Sequence, residues 1–114
     1  ILNTTTKLAE KSKTMVFDEI DTGIGGRVAE AVGLKLKELA KTQQVLCVTH
    51  QPQVAALANH HFVVEKESQK NRTSIKVREL NKSEKVQEIA RMLTGAQITE
   101  TARQHAKEML AAKN

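Results

Sequence analysis

Two short apolar runs on either side of one helix-forming segment constrain the fold of this 114-residue chain most strongly. Thr14–Phe17 and Gln44–Thr49 each have the length of a strand buried in a sheet. Between them, from about residue 26 to 41, apolar residues recur at helical spacing at Val28, Val32, Leu36 and Leu39. A strand, a helix and a second apolar strand in this order predict a right-handed βαβ unit with parallel strands.

The remainder of the chain predicts a hairpin and helices. Pro52 opens a short helix that runs to about Asn59. Phe62–Val64 and Thr73–Leu80 have strand patterns, and the polar stretch Glu67–Arg72 fits the loop between them. Two helices follow, the first capped by Ser83 and ended by Gly95, the second capped by Thr99. With the end of another helix in residues 1–12, the pattern predicts one α/β domain over residues 1–114.

Composition narrows the class of protein. The net charge of +5 would attract nucleic acid weakly, but a solvated surface is the better explanation for the spread of lysines and arginines. Only Phe17 and Phe62 are aromatic, too few for a base-stacking platform. The single cysteine, Cys47, lies in an apolar run, which predicts a packed thiol and a reducing, cytoplasmic setting. No apolar run has transmembrane length, so we expect no membrane partner.

Asp18 and Glu19 follow the first predicted strand directly. Ligands of open α/β sheets bind at the carboxyl ends of the strands. One carboxylate there can hold a magnesium ion through water, and the next can orient or deprotonate an attacking water. From these residues alone, a strand that ends in two solvated acids is an equally open interpretation.

A glycine-rich segment joins the acids to the first helix. Gly23, Gly25 and Gly26 permit tight turns and close backbone approach, and the segment leads into a helix N-terminus. It is not a phosphate-binding loop of the Walker A type, because Gly-Lys-Ser/Thr occurs nowhere in the chain. A plain turn remains open for this segment.

His50 follows the second predicted strand, as the acids follow the first. Parallel neighbouring strands would bring His50 close to Asp18 and Glu19. An imidazole in that position could contact a γ-phosphate and the attacking water. A histidine at a strand end is more often structural, but the neighbouring acids favour a nucleotide site.

These segments together resemble one known family. Residues 18–26 and 47–58 closely resemble the RecN family of bacterial DNA repair ATPases, which are SMC-like and ABC-type. Residues 88–95 and 98–101 are similar to its C-terminal end, so the resemblance covers about residues 1 to 112. It implies the C-terminal lobe of a P-loop NTPase head that acts in double-strand break repair and recombination.

The resemblance implies a role for each candidate residue. Asp18 would be the Walker B aspartate that acts on Mg²⁺, Glu19 the catalytic glutamate, and His50 the switch histidine that senses the γ-phosphate of ATP. Residues 21–26, with Asp21, Gly23, Gly25 and Gly26, would form the D-loop region, which crosses to a partner head. SMC-type heads generally end this loop in aspartate where Gly25 stands here, so the contact would fall to backbone or Asp21.

The same resemblance limits what the chain can do alone. The Walker A loop, signature motif and coiled coil of the family are not in this sequence. We therefore expect the isolated chain to be inactive, and to self-associate or require the remainder of its own ATPase head. DNA would be contacted through the full-length protein, a homodimer formed through its heads at the bacterial nucleoid.

Two other functions remain open from the residues. A metal-dependent phosphoesterase or nuclease could use Asp18, Glu19 and Asp21 as metal ligands, and would cleave DNA without ATP. A non-enzymatic basic module would bind DNA or protein through its positive surface. Its DNA binding would depend on salt and would not change in Glu19→Gln.

Overall fold

The computed structural model describes residues 13–19 and 23–112, and the predicted helix in residues 1–12 lies outside them. The chain divides after Leu57 into two compact units. The first contains β1 (Thr14–Asp18), α1 (Gly26–Leu39), β2 (Gln44–Val48) and α2 (Pro52–Ala55). The second contains β3 (Phe62–Gln69), β4 (Arg72–Glu79), α3 (Lys82–Thr94) and α4 (Glu100–Ala112). Within the described residues, no helix has the length and apolar character needed to cross a membrane.

The strands of the first unit pair as the sequence predicts. β1 and β2 are parallel and in continuous register, from Thr14 opposite Gln44 to Asp18 opposite Val48. The backbone N–H of Glu19 donates to the carbonyl of Val48 at 2.8 Å and extends the pairing past the last strand residue. The carboxyl ends of both strands therefore lie side by side.

One face of this sheet is covered and the other is exposed. Phe17, Ala29, Leu36 and Val54 form the buried centre, and Met15, Val45 and Cys47 pack against it. The prediction of fully buried strands is wrong for the opposite face, where Val16, Leu46 and Val48 are 64%, 48% and 54% exposed. Since α1 covers a single face, the described residues leave uncovered a surface that parallel sheets usually bury.

The predicted core face of α1 is confirmed at Leu36, which is buried, and at Val32 and Leu39, which pack against the core, but it is wrong at Val28. Val28 is 53% exposed, whereas Ala29 is fully buried. Gly33 and Leu36 complete the buried face. Small residues are buried here because α2 and the residues after it approach closely: a Cβ at Gly33 would lie 3.3 Å from the Cα of Val54 in α2 and 2.6 Å from Leu57 Cδ1. Packing distance, which periodicity does not encode, therefore adds the small residues Ala29 and Gly33 to the core face of α1.

The hairpin of the second unit is longer than predicted. β3 and β4 pair antiparallel from Phe62 opposite Glu79 to Gln69 opposite Arg72. Only Lys70 and Asn71 form the turn, with φ of 34° and 68°. Two-residue turns with positive φ match the twist of paired strands, so strand pairing replaces the predicted loop. The apolar residues of one hairpin face are more than half exposed: Phe62, Val64, Ile75 and Val77.

The cap of α3 is Asn81 and not Ser83. The Asn81 side chain accepts from the Glu84 N–H at 2.8 Å. The Glu84 carboxylate in turn accepts from the Asn81 N–H at 2.9 Å, which completes a capping box. Gly95 ends α3 with a φ of 85°, as predicted. The Thr99 hydroxyl accepts from the Ala102 N–H at 3.1 Å, as expected of the cap of α4.

Loss of this capping box should destabilise the second unit measurably. We expect Asn81→Ala to lower the free energy of unfolding by about 1 kcal/mol, because the Glu84 N–H loses its side-chain acceptor. Ser83→Ala is the matched control and should change it by less than about 0.5 kcal/mol, since Ser83 is exposed. Urea denaturation followed by circular dichroism measures both, and equal effects would contradict Asn81 as the cap.

The capping box also carries a dependence on pH. The backbone hydrogen bond from Asn81, and then the pairing with Arg78, hold the pKa of Glu84 below its ordinary value. A carboxyl with a lowered pKa stabilises the fold above its unfolded pKa. It loses that contribution as pH falls through the lowered value. The difference in the free energy of unfolding between Glu84→Gln and the unsubstituted chain should therefore shrink in acid.

Candidate functional site

The structure brings two of the predicted catalytic side chains together. Asp18 is the last residue of β1, and Glu19 follows it. His50 lies two residues beyond the end of β2. His50 Nδ1 is 3.9 Å from Glu19 Oε1, and the two side chains are 62% and 58% exposed. The predicted proximity of His50 to Glu19 is therefore confirmed, at a surface that a ligand can reach.

Glu19 has an unusual backbone conformation. Its φ is 53°, a left-handed value that costs a non-glycine residue about 1–2 kcal/mol. The hydrogen bond from its N–H to Val48 holds it there. Such strain concentrates at functional sites, where the surrounding structure over-determines the backbone. At Glu19 the left-handed conformation turns the chain out of the strand, at the residue for which a catalytic role is predicted.

The glycine-rich loop precedes α1. Gly23 has a φ of 81°, which side chains rarely adopt. Gly25 is the N-cap of α1 and Gly26 its first residue. No atom of the described residues lies within 4 Å of a Cβ placed at Gly23 or Gly25. Asp21, the remaining predicted loop residue, lies outside the described residues.

Two glutamines contact this loop, and the sequence did not identify them as site residues. Gln51 Nε2 donates to the carbonyl of Ile24 at 3.4 Å. Gln53 lies against Gly26, because a Cβ there would be 3.1 Å from Gln53 Nε2. Both flank Pro52, directly after His50, and polar residues next to a strand-end histidine are the one signal that could have marked them.

The donor atoms at this edge suit a hard cation and a phosphate. Carboxylate oxygens of Asp18 and Glu19 are of the type that Mg²⁺ prefers, and Mg²⁺ sites commonly use one or two protein carboxylates. The imidazole of His50 adds a hydrogen-bond donor. Among residues 13–19 and 23–112, no group of three or more His, Cys, Asp or Glu side chains converges as a metal site. These atoms therefore fit an ion that takes its other ligands from water or a nucleotide.

Cations of the hairpin are partly neutralised by acids. Arg78 pairs with Glu65 at 3.2 Å, and Lys76 pairs with Glu67 at 3.5 Å. The pKa of Arg78 is raised, first by its hydrogen bond to Glu65 and then by Glu84. Pairs of this kind reduce the attraction that the hairpin would exert on phosphate groups.

Comparison with known proteins identifies relatives that are named DNA repair protein RecN. No family model matches the chain. It is 47% identical over 97 residues to the DNA repair protein RecN of Bacillus subtilis, a match that covers 85% of this chain and 17% of that protein. The DNA repair protein RecN of Deinococcus radiodurans is 49% identical over 111 residues, 97% of this chain and 20% of the relative.

A third relative gives the same result. The DNA repair protein RecN of Haemophilus influenzae is 48% identical over 97 residues, which are 85% of this chain and 17% of the relative. The chain thus spans about one fifth or less of the length of these relatives. The chain is a RecN homologue that corresponds to the C-terminal part of that protein.

Proposed function

We propose that this chain supplies half of the nucleotide-hydrolysing site of an ATPase head that acts in DNA repair. One observation carries the proposal: two parallel strands end side by side, with His50 Nδ1 3.9 Å from Glu19 Oε1. Homology to proteins named DNA repair protein RecN supports DNA repair as the setting. The fold proposed for the complete head is that of a P-loop NTPase, in the bacterial cytoplasm.

Each residue at this edge has a distinct proposed role. Asp18 would hold Mg²⁺ through water, and the ion when bound would neutralise charge on the phosphate oxygens. Glu19 would accept a proton from the attacking water as a general base. His50 would donate a hydrogen bond to an oxygen on which negative charge develops. The 3.9 Å between His50 and Glu19 exceeds a hydrogen bond, so a water molecule could bridge the two groups.

The phosphate-holding half of the site would come from the remainder of the head. This sequence has no Gly-Lys-Ser/Thr, and the curated relatives are about five times its length. The exposed apolar residues Val16, Leu46 and Val48 give the rest of the head a surface to cover. We propose a homodimer of complete heads, with the Gly23–Gly26 loop and Asp21 turned to the partner, and DNA bound by the full-length protein.

This proposal predicts that the isolated chain hydrolyses no measurable ATP. Without a phosphate-binding loop the nucleotide is held too weakly for Glu19 and His50 to act on it. Phosphate release should therefore be at background for the 114-residue chain, and measurable for the complete protein that carries it. Robust turnover by the isolated chain would contradict the proposal.

The same preparations test the two other functions. DNA cleavage that requires metal but not ATP would indicate a phosphoesterase. Salt-sensitive DNA binding that is unchanged in Glu19→Gln, without any hydrolysis, would indicate a binding module.

A further inference from the structure

We propose that Gln51 is a positioning residue, which holds the glycine loop Gly23–Gly26 against the turn that carries His50. Its side chain is half-buried and donates from Nε2 to the carbonyl of Ile24 at 3.4 Å. Ile24 stands between Gly23 and Gly25, so this bond reaches the middle of the loop. The inference rests on the proposed function, and it adds a link between two parts of the same site.

The backbone of Gln51 is fixed on both sides. Its N–H donates to Thr49 Oγ1 at 2.9 Å, which closes a tight turn around His50. Its carbonyl accepts from the N–H groups of Val54 and Ala55 at 3.1 and 3.0 Å, at the start of α2. With donor and acceptor both engaged, the main chain at Gln51 has little freedom. The fixed backbone at Gln51 therefore restricts its side chain, and the hydrogen bond to Ile24 couples the position of the loop to the position of this turn.

A second contact joins the same two segments. Gln53 lies against Gly26, where an added Cβ would be 3.1 Å from its Nε2. The segment Gln51–Gln53 thus meets the loop at two points, one polar and one by packing. His50 directly precedes this segment and lies 3.9 Å from Glu19. A displacement of the loop would consequently reach the imidazole and the carboxylate proposed to act on water.

Within the part of the chain that the structure describes, no second hydrogen bond of this kind reaches the centre of the loop. α1 has no side-chain cap at Gly25, and no described atom lies within 4 Å of a Cβ placed at Gly23 or Gly25. Glycines also leave the backbone more conformational freedom than any other residue. Loss of the Gln51 amide should therefore loosen the loop more than it loosens the packed helix that follows.

Gln51→Met in the complete protein tests the proposal. Methionine keeps the length and bulk of the side chain but cannot donate to Ile24. We expect amide hydrogen exchange in residues 23–26 to accelerate about threefold to tenfold, as for loss of one hydrogen bond. ATP turnover should show a lower kcat, with KM for ATP unchanged to within about twofold.

Gln44→Met is the matched control at the other end of β2, because Gln44 also makes one side-chain hydrogen bond, to Thr14. It should change neither exchange in residues 23–26 nor kcat. If Gln51→Met behaves like this control in either measurement, the positioning role is overturned. Absence of ATP turnover in the unsubstituted protein would instead overturn the proposed function, and the exchange comparison would still decide the role of Gln51.

Discussion

Replacement of Glu19 by glutamine in the complete protein should lower the rate of ATP turnover by about 10²–10⁴-fold. That is the contribution of a positioned general base to proton transfer. Glutamine has nearly the same shape but cannot accept a proton from the attacking water. The KM for ATP should stay within about twofold, because a group that acts on water in the transition state contributes little to ground-state binding. Steady-state phosphate release at several ATP concentrations separates the two constants.

The design of this experiment relies on two features of the site. Glu19 is 58% exposed and is held by its backbone N–H, so the substitution should leave the fold intact. Glu30→Gln makes the same chemical change at an exposed position of α1 and should leave kcat unchanged. A Glu19→Gln variant as active as this control would remove Glu19 from the chemistry. The closeness of His50 to Glu19 would then need an explanation other than a shared role in hydrolysis.

Strand pairing and the proximity of the strand-end residues were predictable, because the order of apolar and helical segments determines both. Apolar runs of strand length around a helical segment specify parallel β1 and β2, and parallel pairing alone places Glu19 near His50. The ends of α3 and α4 at Gly95 and Thr99 follow from local backbone chemistry in the same way. The helix ends depend on residues close in sequence, and the strand pairing follows from the general rule for strand–helix–strand units, so neither requires knowledge of side-chain packing.

The contacts that connect the site were not predictable, because they depend on how segments far apart in sequence come to lie together. Nothing in the spacing shows that Gln51 reaches Ile24, which is 27 residues away. The cap of α3 was misplaced at Ser83 for a different reason: Glu84, three residues after Asn81, completes a local capping box, whereas Val86 stands three residues after Ser83. The burial of Ala29 in place of Val28 reflects the closeness of a neighbouring element.

The largest effect on stability is expected at Gly33, where α1 lies closest to its neighbours. A Cβ at this position would lie 2.6 Å from Leu57 Cδ1 and 3.3 Å from the Cα of Val54. The Leu57 side chain can move, but the Val54 backbone belongs to α2 and resists displacement. We expect Gly33→Val to lower the free energy of unfolding of the 114-residue chain by about 3 kcal/mol, the upper range for overpacking. Urea denaturation at fixed protein concentration measures it.

Two comparisons separate steric conflict from helix propensity. Lys35→Val places the same side chain on the exposed surface of α1 and should cost less than about 1 kcal/mol. Gly33→Ala combined with Leu57→Ala should cost less than the sum of the single changes, because removal of Leu57 Cδ1 makes room for the new Cβ. Strict additivity would show that Gly33 and Leu57 are not in the tight contact described. Since α2 begins at Pro52, next to Gln51, this contact also supports the turn that carries His50.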